Sequence, residues 1–463
     1  MSEILDKVCK TIEKHNLLTF GDSVLCALSG GADSVCLLRV LCLLKEKYDL
    51  KIFAAHINHM LRGESADSDE EFAKELCKNF DVPFYSKKID VLKYAKEHSQ
   101  STEEAGREVR YNFFYELCDT YNINKIATAH NLNDNTETVV MRFIRGTGIN
   151  GLSGIPYKNN NIIRPILDLS RKEIEAFLKD ENISFVTDKT NFEPVYFRNK
   201  VRLSLIPEIE EKYNQNFTDN LALNILNYRE TADYLKAVTE EKIKTLVHFE
   251  NNYAFVDVDD FLKEHDYIKS SVVYTLLSRF DKEKQATAQS VSEILEMINT
   301  GKGRVDFSKN LFISVNYGKF FFVINKENKP YSYTLGKLCK VCIEECDKEI
   351  SFGITGKKEK KKNCIFLDYE KTKNKKMVIR NRKDGDVFSP SGLGGTKKLK
   401  EYFIDEKIPV FLRNNVPLIV IDGEIACVGT MRVSEKFKPN SNTDKFLRIE
   451  ISDRGATDDT KEC

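Results

Sequence analysis

An alternation of short apolar runs with amphipathic stretches organises the N-terminal part of this sequence and limits what it can fold into. The apolar runs have strand length and lie at residues 23–28, 52–57, 84–89, 125–129 and 162–166. Between them apolar residues recur at helical spacing, and the pairs Ser101 with Glu104 and Ser170 with Glu173 are typical of helix-starting capping boxes. Strands that alternate with helices predict a doubly wound parallel sheet with helices on both faces.

The pattern changes in the rest of the chain. Long helices are predicted at 212–244 and 266–300, and residues 311–324 predict a strand hairpin. Short strands at 416–421 and 425–428, separated by Gly and Pro, predict a compact terminal module. The chain has 463 residues, more than the roughly 250–300 that one core usually serves. We therefore expect an α/β protein with the sheet domain at 1–216, a mixed, largely helical domain at 217–330, a basic linker at 331–377 and a small α/β module at 378–463.

The loop between the first predicted strand and the first predicted helix carries the strongest chemical signal. A strand-to-helix turn gathers backbone N–H groups at a helix N-terminus, which suits an anion, and two glycines let the main chain approach it closely. The loop also contains a carboxylate, Asp33, whose place beside a phosphate is explained if it holds Mg²⁺ or orients an incoming group. An ordinary tight turn is the alternative interpretation. The loop reads Ser29-Gly30-Gly31-Ala32-Asp33-Ser34.

Two other phosphate-binding motifs fail their tests. The sequence contains no G-x-x-x-x-G-K-[ST] segment, so the loop is not a Walker A motif. The spacing Gly146-x-Gly148-x-x-Gly151 matches a dinucleotide fingerprint, but it follows a predicted helix at 135–145 and not a strand.

The charge of the chain is balanced, with 71 Lys and Arg against 71 Asp and Glu, which argues mildly against a nucleic-acid binder. Residues 357–383 nevertheless hold twelve basic and three acidic side chains, which indicates either a solvated linker or an RNA-facing patch. No apolar run approaches the roughly 18 residues of a membrane span, and the N-terminus lacks a signal-peptide pattern. We expect a cytoplasmic protein without a membrane partner.

The twelve cysteines do not form a disulfide pattern, since several lie inside apolar runs. Cys339, Cys342 and Cys346, with Cys364 as a fourth ligand, would suit a metal, but the usual paired zinc spacing is incomplete. A strand across 338–343 is the simpler interpretation.

Several segments of the sequence resemble known motifs, in order along the chain. The loop at 29–34 resembles the PP-loop of ATP pyrophosphatases, which cleave ATP between the α and β phosphates. The later segments resemble those of tRNA(Ile)-lysidine synthetases, and the resemblance is weakest from about residue 217 to 377. These segments are His59-x-Leu61-Arg62-Gly63, Glu104-Ala105-x-Arg107-x-x-Arg110-Tyr111, Ala129-His130 with Asp134, Glu137-Thr138 and Arg142, Arg145-Gly146-Thr147-Gly148, Arg198-Asn199-x-Val201-Arg202, Arg380-x-Arg382-x-x-Gly385-Asp386, Thr396-Lys397-Lys398-Leu399-Lys400, Asp405-x-x-Ile408-Pro409 and Arg413.

The resemblance implies a Rossmann-like PP-loop domain and an ATP-dependent ligase. In that family a cytidine in the anticodon of tRNA(Ile) is adenylated, and L-lysine then displaces AMP from C2 to give lysidine. ATP and Mg²⁺ are the implied cofactors, and tRNA(Ile) and L-lysine are the implied partners. The oligomeric state stays open, with a homodimer among the options.

The resemblance also assigns roles to residues. The loop at 29–34 and Arg107 would bind ATP, and Asp33 would also hold the metal. Catalytic roles fall to Asp33, His130 and Arg142. The predicted tRNA contacts are Arg198, Arg202, Lys397, Lys398, Lys400 and Arg413.

Asp134 and Glu137 would bind lysine, since residues three apart on a helix share a face. A solvated helix face, a structural histidine at His130 and surface ion pairs for the arginines are the alternatives.

The sequence departs from the family at three positions, where the family often has His, Asp and Gln and this chain has Asn131, Asn133 and Asn135. Two other functions remain as alternatives. A tRNA thiolase of the same superfamily would need a reactive cysteine pair, and no CxxC lies in the N-terminal domain. A non-catalytic RNA-binding protein would have no use for an intact PP-loop.

Overall fold

A computed structural model describes residues 3–60, 64–186, 197–326, 329–336, 338–358, 361 and 363–453. Leu61, Arg62 and Gly63 of the second resembling segment lie outside the described residues, as do Glu359, Lys360 and Lys362 of the basic stretch. The chain divides into two units, Met1–Ala237 and Val238–Cys463. Within the described ranges, every helix is too short or too polar to cross a lipid bilayer.

The first unit alternates strands and helices as the periodicity predicts. Its elements are α1 (Glu3–His15), β1 (Ser23–Ala27), α2 (Ala32–Tyr48), β2 (Lys51–Asn58), α3 (Glu64–Asn79), β3 (Phe84–Lys88), α4 (Val91–Glu97), α5 (Thr102–Tyr121), β4 (Lys125–Ala127), α6 (Leu132–Arg145), α7 (Ile149–Leu152), β5 (Lys158–Asn159), β6 (Ile162–Ile163), α8 (Arg171–Asp180), α9 (Phe197–Lys200), a π-helical turn (Val201–Leu205), α10 (Ile206–Lys212) and α11 (Phe217–Leu246), which ends in the second unit. Both predicted capping boxes are present, at the starts of α5 and α8.

The sheet of the first unit has the strand order β3-β2-β1-β4-β6-β5, and all neighbours pair in parallel except β5 with β6. Val24 and Cys26 of β1 belong to one buried core with α1, α2 and α8, whereas Leu25 belongs to another with α5. Successive side chains of a strand point to opposite faces, so helices cover both sides of the sheet. The predicted doubly wound parallel sheet is confirmed.

Strand β1 lies between β2 and β4, so the chain winds away from it in both directions. In open parallel sheets such a switch point leaves a crevice at the carboxyl ends of the two strands, and ligands bind there. In this chain those ends lead into the loop at 28–31 and into the segment 128–131. The fold therefore places the predicted phosphate-binding loop and the start of α6, which carries Asp134 and Glu137, at one crevice.

The second unit begins with a five-stranded antiparallel sheet in the order β7-β8-β11-β10-β9. The predicted hairpin at 311–324 forms its centre, with Asn316 paired to Lys319. The elements up to that point are β7 (Val247–Phe249), β8 (Tyr253–Asp257), α12 (Val258–Leu262), α13 (Asp266–Phe280), α14 (Ala288–Thr300), β9 (Gly303–Asp306), β10 (Leu311–Asn316) and β11 (Lys319–Ile324).

The terminal part forms two further sheets, in the orders β12-β16-β19-β20-β21 and β13-β14-β22-β15, and a strand pair, β17-β18. The elements are β12 (Ser332–Leu335), β13 (Val341–Ile343), β14 (Lys348–Thr355), β15 (Cys364–Asp368), α15 (Tyr369–Thr372), β16 (Met377–Arg380), β17 (Val387–Phe388), β18 (Lys397–Lys398), α16 (Leu399–Asp405), β19 (Leu418–Ile421), β20 (Glu424–Val428), β21 (Arg432–Val433) and β22 (Phe446–Asp453).

The segment 331–377, expected to be a basic linker, contributes strands β12 to β15 to these sheets. Strand β14 pairs along its whole length with β22, from Lys348 opposite Asp453 to Thr355 opposite Phe446. Of these four strands only β14 carries a lysine, Lys348, and the other described lysines of the segment lie between the strands or in α15. The lysine-rich turns give the segment the composition of a linker, and the partner strand β22 lies far along the chain.

The core of the second unit depends on aromatic side chains, of which Phe320 is the clearest case. Phe320 is fully buried and meets the Phe261 ring edge to face at 4.8 Å. We expect Phe320→Ala to destabilise this unit by about 3–5 kcal/mol, because it leaves a cavity among rigid neighbours. Urea unfolding followed by circular dichroism measures the change. Phe249→Ala, whose ring is 52% exposed, is the control and should change stability by less than about 0.5 kcal/mol. Similar losses in both variants would contradict this role for Phe320.

Candidate active site

The loop after β1 is held in shape by its own serines. The Ser34 hydroxyl donates to the Gly31 carbonyl at 2.9 Å and accepts from the Ser29 amide at 3.1 Å. Gly30 has φ +90°, and a Cβ there would meet only ordinary contacts, so the backbone angle and not space requires glycine. Gly31 is the N-cap of α2, and no side chain caps the helix there. Such a helix start suits an anion, and the anion site stays a prediction from the sequence.

Asp33, in the first turn of α2, is held from two sides. Arg171 at the start of α8 donates to one carboxylate oxygen at 2.8 Å, and Asn131 donates to the other at 2.9 Å. Burial raises the pKa of Asp33, the Arg171 charge opposes this rise, and the nearby Asp134 carboxylate adds to it. The side chain is still 28% exposed, so a ligand can reach it.

The start of α6 is joined to the loop through Asn131. Its side-chain oxygen accepts from the Asp134 amide at 2.9 Å, and Asp134 in turn accepts from the Asn131 amide at 3.2 Å. The Asn131 side-chain nitrogen is the group that donates to Asp33. An amide side chain offers an acceptor and a donor on two separate atoms without charge, which suits asparagine here.

The other two departures from the family pattern also make structural hydrogen bonds. The Asn133 side-chain oxygen accepts from the Arg171 amide at 2.9 Å, and the Asn135 oxygen accepts from the Ile155 amide at 2.7 Å. A Cβ at Gly154, whose φ is +74°, would lie 2.2 Å from that Asn135 oxygen. The three asparagines thus fix the segments around the crevice, and none is placed as an acid or a base.

Asp134 and Glu137 share one face of α6, as predicted, and both are paired with arginines. Arg198 reaches Asp134 and Glu137 at 2.8 Å each. Arg202, in the π-helical turn, reaches Asp134 at 2.9 Å and Glu137 at 2.5 Å. The Glu137 side chain is 3% exposed, whereas both arginines remain more than a third exposed. The structure therefore places Arg198 and Arg202, predicted to contact tRNA, on the two predicted lysine-binding carboxylates.

His130 follows β4 and lies half-buried beside the same residues. Its Nδ1 accepts from Arg164 Nε at 3.3 Å and lies 3.2 Å from the Thr128 hydroxyl. Burial, together with the nearby arginines, of which Arg164 contributes most, lowers the pKa of His130 to about 3. The ring is therefore neutral near pH 7, with its proton on Nε2, and can donate a hydrogen bond but holds no acidic proton.

The remaining predicted residues of this unit, Arg107 and Arg142, differ in their exposure and contacts. Arg107 is exposed, with its guanidinium over the Tyr111 ring at 4.9 Å, and it contributes to the lowered pKa of His130. Arg142 donates to the Gly151 and Gly154 carbonyls at 3.0 Å each, so its described contacts position α7. Arg142 also lines a cavity of about 510 Å³.

Sequence reasoning missed Arg171, Arg164 and the asparagine contacts. Arg171 directly follows the predicted helix start at Ser170, so its place at the carboxyl edge of the sheet was available as a signal. Arg164 lies in a predicted strand, and nothing in its local sequence marks it.

Two family models match parts of this chain, and several known proteins are similar to nearly all of it. Residues 3–209 match the PP-loop domain family, and residues 377–451 match the TilS substrate C-terminal domain family. The chain is 39% identical to a tRNA(Ile)-lysidine synthase of Caldanaerobacter subterraneus, over 97% of this chain and 98% of that protein. It is 40% identical to a tRNA(Ile)-lysidine synthase of Clostridium tetani, again over 97% and 98%.

This chain belongs to the tRNA(Ile)-lysidine synthase family. The resemblance found in the sequence motifs is thereby confirmed, and the similarity spans the weak region from about 217 to 377 as well.

The terminal module contains the other predicted tRNA contacts of this family member, and they differ in accessibility. Lys398 and Lys400 are exposed, and Lys397 pairs with Asp405. Arg413 is buried, donates to the Ile408 carbonyl at 2.9 Å and reaches the Tyr317 hydroxyl at 3.4 Å. In this position Arg413 stabilises the second unit and does not present its charge to RNA, which corrects its predicted role.

The described cysteines of this lysidine synthase homologue differ in exposure between the two units. Among the described residues, no group of three or more His, Cys, Asp or Glu side chains could hold a metal ion, and Cys339, Cys342, Cys346 and Cys364 form no such group. In the described part of the first unit every cysteine is buried or half-buried, and burial raises the pKa of Cys36 and Cys77 to about 12. A thiolase reaction, which needs an accessible thiolate, finds no candidate there.

The lowered pKa of His130 gives a prediction for the ring. It should stay neutral between about pH 5 and about pH 8, where an ordinary histidine titrates. Because its folded pKa of about 3 lies below 6.5, only the unfolded chain takes up this proton, so stability falls as pH drops through that window. Ring-nitrogen NMR, with His130→Gln to assign the signal, measures it. Protonation of the folded ring above about pH 5 would contradict the prediction.

Proposed function

We propose that this chain ligates L-lysine to C2 of a cytidine in the anticodon of tRNA(Ile), through an adenylated base, with release of AMP and diphosphate. One observation carries the proposal beyond family membership. Asn131 forms hydrogen bonds with both Asp33 of the predicted phosphate-binding loop and Asp134. Asp134 belongs to the paired-charge cluster, by which we mean Asp134, Glu137, Arg198 and Arg202. A nucleotide site and an amino-acid site therefore share one crevice.

In the first step the cytidine C2 oxygen attacks the ATP α-phosphate. The oxygen–phosphorus bond forms, and diphosphate leaves. Backbone amides of the loop and the first turn of α2 face the phosphates and stabilise the developing negative charge. Arg107, exposed on α5, is the side chain that we assign to the outer phosphates.

Asp33 is the residue that fits Mg²⁺ at this site. Each of its oxygens accepts one hydrogen bond, and a carboxylate oxygen has a further lone pair for a cation. Mg²⁺ commonly binds one or two carboxylates together with substrate phosphates. When bound, it would neutralise charge on the triphosphate.

In the second step the lysine ε-amine attacks C2, the C2–oxygen bond breaks, and AMP leaves with that oxygen. The cluster of two carboxylates and two guanidinium groups suits an amino acid that carries both charges. Asp134 and Glu137 would bind ammonium, while Arg198 and Arg202 would bind the α-carboxylate through their paired donors. Arg198 and Arg202 are thus assigned to lysine and not to tRNA.

His130 has a narrower role than general base. Its Nδ1 already accepts from Arg164, so only Nε2–H is free to donate to a phosphate or base oxygen. We assign it to substrate positioning.

The exposed lysines Lys398 and Lys400 are the terminal-module residues that we assign to tRNA phosphates. Such contacts release counterions, so affinity should fall with salt, with a log–log slope near −0.9 per neutralised phosphate for duplex geometry. A tRNA substrate agrees with the expected cytoplasmic location.

The proposal is tested by incubating the full chain with tRNA(Ile), ATP, Mg²⁺ and labelled lysine, then analysing the nucleosides by mass spectrometry. Wild type should yield lysidine and AMP in equal amounts. Asp33→Ala should lower AMP formation by about 100-fold or more, since it removes the carboxylate that would hold Mg²⁺ beside the triphosphate. Asp180→Ala, at an exposed position on α8, is the control. A wild type that releases AMP but makes no lysidine would refute the proposed reaction.

The lysine site is tested by Glu137→Gln, which keeps shape and removes charge. We expect KM for lysine to rise about tenfold or more, because a charge-assisted hydrogen bond is lost, while KM for ATP changes less than about twofold. Arg202→Lys keeps the charge but loses the planar fork, so it should also affect lysine first. Glu211→Gln, exposed on α10, is the control. Equal changes in both KM values would place these groups with the nucleotide or with helix stability.

A further inference from the structure

Three exposed side chains near the C-terminal end of α6 have no role in the proposed reaction. Ile144 is 53% exposed, and Phe197 at the start of α9 is 40% exposed. The Arg145 guanidinium lies over the Phe197 ring, 5.3 Å from its centre. Arg145 and Phe197 thus present two stacked planar groups, and the exposed Ile144 precedes Arg145 on the helix. We call these three residues the α6 ledge (Ile144, Arg145 and Phe197).

The α6 ledge continues the paired-charge cluster. Ile144 follows Glu137 by seven residues and Arg145 follows Asp134 by eleven, which at 3.6 residues per turn puts each pair within about 20° around the helix axis. Ile144 lies about 10 Å along the axis from Glu137. Phe197 is also adjacent to the cluster, because it directly precedes Arg198, which donates hydrogen bonds to both carboxylates.

We propose that the α6 ledge is a stacking surface for a nucleobase that neighbours the reacting cytidine. The inference rests on the proposed function, since a cytidine that enters the crevice leaves its stack and exposes the next base. Single-stranded RNA is recognised by stacking on aromatic rings and guanidinium planes, and this tolerates any base. Arg145 adds the positive charge that an RNA backbone matches and that an apolar protein partner does not need.

The distance between the ledge and the cluster fits this occupant. Successive nucleotides in an extended single strand lie several ångströms apart, so about 10 Å along α6 separates the amino-acid site from a base one or two nucleotides away. Phe143 offers a matched comparison on the same helix end. Its ring is 71% exposed but points about 120° away from Glu137 around the axis.

The test uses the full chain and an anticodon stem–loop RNA with 2-aminopurine on either side of the target cytidine. Binding to wild type should quench the fluorescence on at least one side, because the base stacks. Phe197→Ala should lose that quenching and weaken RNA binding about tenfold or more. Phe197→Tyr, which keeps the ring, should restore both. Phe143→Ala should behave as wild type.

Steady-state kinetics with tRNA separates stacking from an indirect effect through Arg198. Phe197→Ala should raise KM for tRNA, because one base loses its stacking contact. KM for lysine and KM for ATP should change by less than about twofold, which is smaller than the effect of losing one stacked base. An equal rise in KM for lysine would overturn the stacking role. Unchanged quenching in Phe197→Ala, or the same loss in Phe143→Ala, would overturn it too.

Two further outcomes are informative. If Phe197→Ala dissociates a dimer in sedimentation and binds RNA normally, the ledge contacts a second copy of this chain, and the inference fails. If wild type quenches 2-aminopurine but never makes lysidine, the proposed reaction fails while the stacking surface stands.

Discussion

Burial of the Glu137 carboxylate is the constraint on which the arrangement of this site depends. A carboxylate that is 3% exposed loses its hydration, and this loss is costly unless other partners replace the water. Arg198 and Arg202 supply both the charges and the hydrogen bonds. They draw α9 and the π-helical turn onto α6, and a π-helical turn often marks a functional position because it re-aims a side chain.

The same pairing has a consequence for substrate entry. Asp134 and Glu137 each have guanidinium partners, so a lysine bound as we propose would exchange these ion pairs for new ones. Such an exchange favours a ligand that offers both an ammonium and a carboxylate, since a ligand with one charge would leave a partner unpaired. In the proposed function, selectivity for an amino acid would thus follow from the neutrality of the cluster, with access along the exposed faces of Arg198 and Arg202.

Local periodicity was sufficient to predict most elements of the first unit. In a strand or helix with one buried face, apolar residues recur about every two or every 3.6 positions. The capping boxes at Ser101 and Ser170 were predicted from two residues each and are present. The error at 331–377 has a physical origin. Two of the strands there, β14 and β15, pair with the distant β22, while most lysines of the segment lie between its strands and give it the composition of a linker. Arg413 was misassigned for a related reason, because a charged residue gives no local sign of burial.

The sequence by itself determined the doubly wound sheet and the family and predicted the anion-binding loop, because backbone periodicity, motif order and glycine spacing are all local properties of the chain. It also put Asp134 and Glu137 on one helix face. Only the tertiary structure decided what those carboxylates contact and which donors hold Asp33. Arg171 and Arg198 lie far from their partners in sequence, and the chain brings them together only when parallel strands align their carboxyl ends at one crevice. Contacts between distant residues depend on that alignment, and no local pattern encodes it.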